Sequence, residues 1–355
     1  MQINQITFTR FIAALSVVFF HYGSHTLPTN IPWLKESITA GPIAVNYFYV
    51  LSGFIMAIAY YQIGTSKPLS KNRYWVARFA RIYPVYLVAI VLMAVASYSD
   101  LADKPLALPL HLTMLQAWLP GYPMTLNNPG WSLSVEAFFY LCFPLLLAVI
   151  YRYGLKYLAF AALVSWLITQ YVLLASINSA DYTANGLLHD FVYYNPLMHI
   201  NAFLAGLVCG ALFKQNADKA TSPKPIWLLA SLLLIIVLLE ARPWIESAIG
   251  FKLAYTNGLI APAFLLFIWL LASSRGKIQQ WLSHPLLVLL GEASFSLYIL
   301  QKPVFGIYNK VLEKRLNLGE IADFYVALIL LIIISIASYK LFETPARSLI
   351  NRKLA

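Results

Sequence analysis

The chain has 355 residues, of which 60% are hydrophobic and 11% charged, with a net charge of +11 and a mean hydropathy of +0.70. Globular domains usually carry about 25% charged residues, so this composition excludes an ordinary soluble fold and points to lipid as the solvent. The basic surplus does not imply nucleic acid, because Lys and Arg flanking membrane helices follow the positive-inside bias, and Cys142 and Cys209 lie in apolar runs that argue against a disulfide framework.

In chain order, ten stretches are long enough, or nearly so, to cross about 30 Å of hydrocarbon as helices: residues 6–22, 43–62, 80–98, 131–151, 157–177, 193–213, 226–240, 257–273, 286–308 and 324–342. The first carries Arg10 and His21 with ten residues between them. At about 3.6 residues per turn, that spacing puts both on one helix face, about 16 Å apart. Charge and imidazole inside a bilayer are costly, which makes each a functional candidate. The stretch has no basic region ahead of its apolar core, so a retained helix is expected and not a signal peptide.

With the N-terminus inside, sixteen Lys and Arg collect on the inner side and seven on the outer, which supports cytoplasmic termini. Residues 106–126 are apolar but broken by Pro109, Pro120 and Pro123. A crossing there would invert every later loop against the charge bias, so the stretch reads as an outer-face re-entrant or interfacial segment. The expected fold is an all-α polytopic integral membrane helical bundle of about ten transmembrane helices, both termini cytoplasmic. One domain is expected over residues 1–355, with no separate soluble domain.

This topology sorts the polar residues by depth. The first helix runs outward, placing Arg10 near the inner boundary and His21 near the outer one. The fourth runs inward, so Glu136, about 8 Å past Trp131, is expected in the outer half, within reach of His21. The ninth runs outward and carries Gln301 and Lys302 toward the same level. Pro303 has no N–H to give its helix, which frees the carbonyl near Ile299. Arg10, Arg78, Arg81 and Glu343 gather near the inner boundary, Glu343 as a structural partner of the arginines. Clustered guanidinium groups suit a phosphate-bearing ligand, because their planar fork binds phosphate oxygens bidentately. Arg73 reads as a positive-inside anchor.

Several blocks follow one another in order: NYFYVLSGF at 46–54, ARFARIYPVY at 77–86, PGWSLSVEAFFYLCFP at 129–144, SFSLYILQKP at 294–303 and LFETPAR at 341–347. With the Arg10 and His21 spacing, the ordered set resembles the membrane acyltransferase 3 family over residues 6–347. The resemblance implies transfer of an acyl group, commonly acetyl, from acyl-CoA to a sugar hydroxyl in a surface polysaccharide, a lipid-linked glycan or a related acceptor. It implies a multi-pass protein of the bacterial inner membrane, with the bilayer, acyl-CoA and a glycan acceptor as partners.

In that reading Arg78 and Arg81, with Arg10, bind the coenzyme A phosphates. His21 is the general base, suited by an imidazole pKa of about 6.5, and Glu136 orients it; an acyl-histidine intermediate is equally compatible with the residues. Tyr49, Ser52, Ser132, Ser134, Tyr298 and Gln301 are candidate oxyanion or substrate contacts, joined by Trp131 and Lys302. Where many relatives have a histidine in the ninth helix, this chain has Gln301, whose amide can both donate and accept. No metal is expected, because the remaining histidines lack ligand spacing, and the many Trp and Tyr near helix ends read as interfacial belts. Two other function classes compete: a transporter or flippase of a lipid-linked sugar without acyl transfer, and a non-catalytic assembly or sensor protein.

Overall fold

The computed structural model describes residues 3–64, 69–98, 101–216 and 221–354. Lys67 and Lys219, both counted to the inner side above, lie outside the described residues. Each expected stretch coincides with a helix: α1 (Asn4–Tyr22), α2 (Gly41–Tyr60), α3 (Lys71–Ala96), α4 (Trp131–Tyr153), α5 (Leu155–Ile177), α6 (Ile200–Gln215), α7 (Pro225–Ile249), α8 (Ala261–Ser273), α9 (Pro285–Tyr308) and α10 (Glu320–Ser338). Among the described residues there is no strand. The protein is a multi-pass membrane helical bundle. By length and composition six helical stretches, those containing α2, α3, α4, α5, α7 and α10, can each cross a membrane. The helices that hold Arg10, His21, Gln301 and Lys302, α1 and α9, are not among the six.

Burial separates a centre from a periphery. In α2, 72% of the apolar window is buried inside the protein, against 11% in α7. A helix apolar all round yet barely covered by protein has only lipid left to face. Helix α2 packs against α1, α6 and α8, and α9 packs between α1 and α10.

Some boundaries differ from the sequence reading for local reasons. The stretch 193–213 yields a helix only from Ile200, because Asn195 is extended ahead of Pro196 and ends a separate short helix, Leu187–Tyr194; a residue before proline avoids the helical region. The stretch 257–273 begins its helix at Ala261, after Gly258 at φ +94°. Residues 106–126 form no span: a short helix, Ala107–Leu112, and a 3-10 turn, Gln116–Trp118, are followed by Asn128–Gly130 at the head of α4.

Two glycine contacts fix how the site helices meet. A Cβ at Gly206 would lie 1.9 Å from the Val50 carbonyl oxygen, and one at Gly53 would lie 2.1 Å from that of Phe203, so α2 and α6 touch backbone to backbone. A Cβ at Gly291 would meet the Thr7 carbonyl oxygen at 2.1 Å, which seats α9 on the first turns of α1. Gly206→Val is therefore expected to unseat α6 from α2 and to destabilise the fold by about 1–3 kcal/mol or more. The check is the thermal midpoint of the purified protein in detergent, which should fall or be lost; a wild-type midpoint would contradict the crossing.

Candidate active site

Five helices enclose a cavity of about 270 Å³. Helical spacing explains the composition of its walls. Arg78 and Arg81, three residues apart, share one face of α3, and Ser132, Glu136 and Tyr140 share one face of α4 at intervals of four. Phe48, Ser52, Ile55 and Ala59 repeat down α2, while Glu292, Phe295 and Tyr298 repeat at three along α9. Ile6, Thr7 and Arg10 complete the lining from α1. Three guanidinium groups and two carboxylates thus converge inside the bundle, toward the end at which α1 begins.

Their pairing is uneven. Glu136 accepts hydrogen bonds from Ser52 Oγ at 3.4 Å and from the Tyr140 hydroxyl. Arg78 donates to the Tyr60 hydroxyl at 3.2 Å and to Met56 Sδ at 3.7 Å. Its guanidinium carbon stands 5.6 Å and 5.7 Å from the ring centroids of Tyr60 and Tyr140, a cation–π arrangement, and its Nε is buried without a hydrogen-bond partner among the described residues. Arg10 and Arg81 make no hydrogen bond or ion pair with any described residue, although each interacts electrostatically with Glu292 and Glu136. The ion pair found within 4.0 Å among the described residues, Arg242–Glu36, lies elsewhere.

Toward the far end the cavity is lined by Tyr298 and Ser132. Their hydroxyls are 2.8 Å apart, and both rest on the Pro129 carbonyl, at 3.1 Å and 2.9 Å. Tyr49 donates to the Ser132 carbonyl at 3.4 Å, and Phe48 meets the Tyr298 ring edge-on at 6.0 Å.

His21 is exposed in the last turn of α1 and lies outside the cavity lining. Its Nδ1 is 2.9 Å from Gln301 Oε1. The amide of Gln301 is oriented by a second bond, Nε2 to the Tyr298 carbonyl at 2.7 Å. An amide oxygen can only accept, so Nδ1 carries the proton and the lone pair of a neutral ring is on Nε2. Gln301 thus sets the tautomer that a proton acceptor needs. One helical turn separates it from Tyr298 and the cavity.

The structure does not bring Glu136 to His21. Gly41, at the head of α2, packs on Phe20, and Ser52, which holds Glu136, lies eleven residues farther along the same helix, about 16 Å deeper. Gln301 occupies the place beside the ring that the sequence reading gave to Glu136. The freed carbonyl near Pro303 is found at Ile299, where it accepts from Asn127 Nδ2 at 3.0 Å. Lys302 donates to the Leu126 carbonyl and, at 2.7 Å, to Asn128 Oδ1, so with Asn127 it ties α9 to the turn that starts α4.

Ser134 donates to the Met114 carbonyl, away from the cavity. Trp131 packs on Tyr194 and His199, with ring centroids 5.0 Å and 5.5 Å away, and lies outside the lining. In the connector ahead of α4, burial lowers the His111 pKa to about 4. The neutral ring lies 3.3 Å from the Tyr86 hydroxyl and 3.1 Å from Thr125 Oγ1, while Gln116 donates to the Gly130 carbonyl at 2.7 Å. These bonds fix the turn from which Trp131 and Ser132 enter the bundle.

Of the residues singled out from sequence, the cavity gathers Arg10, Arg78, Arg81, Tyr49, Ser52, Ser132, Glu136 and Tyr298. His21 and Gln301 form a separate pair at its far end. Sequence reasoning missed Glu292 and Tyr140. Glu292 was detectable as an acid inside an otherwise apolar span; Tyr140 shares the face of Glu136 four residues on.

A family model described as an acyltransferase domain matches residues 3–340 of the chain. The acyltransferase MdmB of Streptomyces mycarofaciens is 26% identical over 334 residues, covering 89% of this chain and 82% of that protein. A putative O-acetyltransferase of Staphylococcus aureus strain COL is 21% identical over 368 residues, 95% of this chain and 56% of that one. The peptidoglycan O-acetyltransferase OatA of Listeria monocytogenes serovar 1/2a is 23% identical over 361 residues, 95% and 54% respectively. The chain spans about half the length of the last two. No solved structure matches it.

Proposed function

Since the chain belongs to the acyltransferase 3 family, we propose that it is a membrane O-acyltransferase moving an acyl group, acetyl foremost, from acyl-CoA to a hydroxyl of a sugar in a surface polysaccharide, a lipid-linked glycan or a related acceptor. The observation that carries the donor is the cavity: Arg10, Arg78 and Arg81 face one space, and Arg10 and Arg81 have no hydrogen-bonding partner among the described residues. Half-buried guanidinium groups that no carboxylate hydrogen-bonds fit a ligand that brings phosphate oxygens. In this reading that end of the bundle faces the cytoplasm, where acyl-CoA is made, in a bacterial inner membrane with both termini inside, an orientation that the Lys and Arg bias supports.

The acceptor hydroxyl meets His21 at the opposite end. His21 Nε2 takes the hydroxyl proton as the oxygen attacks the thioester carbonyl; the carbon–sulfur bond breaks, and the imidazolium returns the proton to the departing thiolate. Gln301 keeps the ring in the required tautomer. A hydroxyl of Tyr298 or Ser132, released from the Pro129 carbonyl that each now bonds, can donate to the developing oxyanion. Glu136, bonded to Ser52 and Tyr140, belongs to the donor cavity in this scheme.

The test is to supply radiolabelled acyl-CoA to membranes with and without the protein and to follow the label. Label entering a glycan or glycolipid fraction only when the protein is present is the expected result. Membranes that label identically in both cases would remove the transferase assignment.

A further inference from the structure

Glu292 has no part in the scheme above, yet it lines the cavity between the groups assigned to the donor. It follows Gly291, whose bare α-carbon lies against the Thr7 carbonyl, so its side chain enters at the same level as Arg10. From α1 it faces Arg10, from α3 Arg81, and from α4 Glu136 acts on the same two arginines. Glu136 is held by two hydroxyls, whereas Glu292 makes no hydrogen bond or ion pair with any described residue. A carboxylate that touches neither guanidinium does not hold them in place as a strut. It acts through space, on the potential that a ligand in the cavity experiences.

Five formal charges line the cavity, three positive and two negative. The two lining acids, together with the buried Glu343 that acts on the same arginines, offset arginine charge, which lowers the cost of keeping it in a bilayer. With a polyanion bound, Glu292 opposes it. We propose that Glu292 limits how tightly the arginine cavity holds its polyanionic carrier, so that the spent carrier, with the same phosphates and a free thiol, is released. This rests on the acyl-CoA reading and adds to it a residue that sets donor affinity and product release.

The experiment is calorimetric titration of coenzyme A into the full chain in detergent or nanodiscs. Glu292→Gln, which removes the charge and keeps the shape, is expected to bind on the order of tenfold tighter than wild type. Glu292→Asp should stay near the wild-type value. The gain must shrink for dephospho-coenzyme A and vanish for uncharged pantetheine. In turnover assays the same variant should show a lower KM for the donor together with a lower kcat, because release of the carrier slows. Weaker or unchanged binding by Glu292→Gln, or an equal gain for pantetheine, overturns the proposal. Should the amide variant fail to fold, Glu292→Met carries the same expectation. If wild type itself binds no coenzyme A, the donor reading fails; if wild type binds and only the predicted gain is missing, the failure belongs to Glu292 alone.

Discussion

His21→Ala is expected to lower acyl transfer by about a hundredfold to ten-thousandfold, the range that removal of a general base produces, while coenzyme A binding and the thermal midpoint stay near wild type. The separation of effects follows from position. His21 is exposed at the far end of α1 and outside the cavity lining, so truncating it leaves the arginines and the core untouched. The hydrogen bond to Gln301 is lost, but Gln301 retains its bond to the Tyr298 carbonyl. The low-pH limb of the rate profile, which reports loss of the imidazole proton, should disappear with the ring. Gln301→Ala should slow transfer less, without changing donor affinity, because the ring remains and only its tautomer and orientation are released. Full activity in His21→Ala would take the base away and return attention to the cavity.

What was legible in the sequence was what depends on helical geometry within one element. The interval between Arg10 and His21 sets them about three turns apart on one face of α1, and Pro303 leaves a free carbonyl that Asn127 satisfies. Relations between helices were less legible, because they depend on how far each is offset along the bundle. Counting down from Trp131 put Glu136 beside His21, but its carboxylate is held by Ser52, well along α2, and by Tyr140. Glu292 shows a different limit. Its chemistry was visible as an acid in an apolar span, but only the close crossing at Gly291 shows that it shares a cavity with the arginines.

Truncation of the arginines should produce the mirror image of the His21 result. Arg81→Ala is expected to weaken coenzyme A binding by about 10–100-fold, since a hydrogen bond to a charged group contributes about 1.5–3 kcal/mol. Its fold should survive, because Arg81 makes no hydrogen bond or ion pair with any described residue that would be left unsatisfied. Arg78→Ala should weaken binding by a similar factor and also lower the thermal midpoint, because Arg78 is bonded to Tyr60 and Met56 and lies over the rings of Tyr60 and Tyr140. Arg81→Lys should recover part of the loss, keeping the charge without the bidentate fork. Both deficits should grow less distinct at high salt as wild-type binding itself weakens, though less steeply than for a surface site, since a cavity inside the bundle is poorly screened. If both alanine variants bind coenzyme A as wild type does, the cavity does not receive the phosphates, and the unpaired guanidinium groups require a different anion.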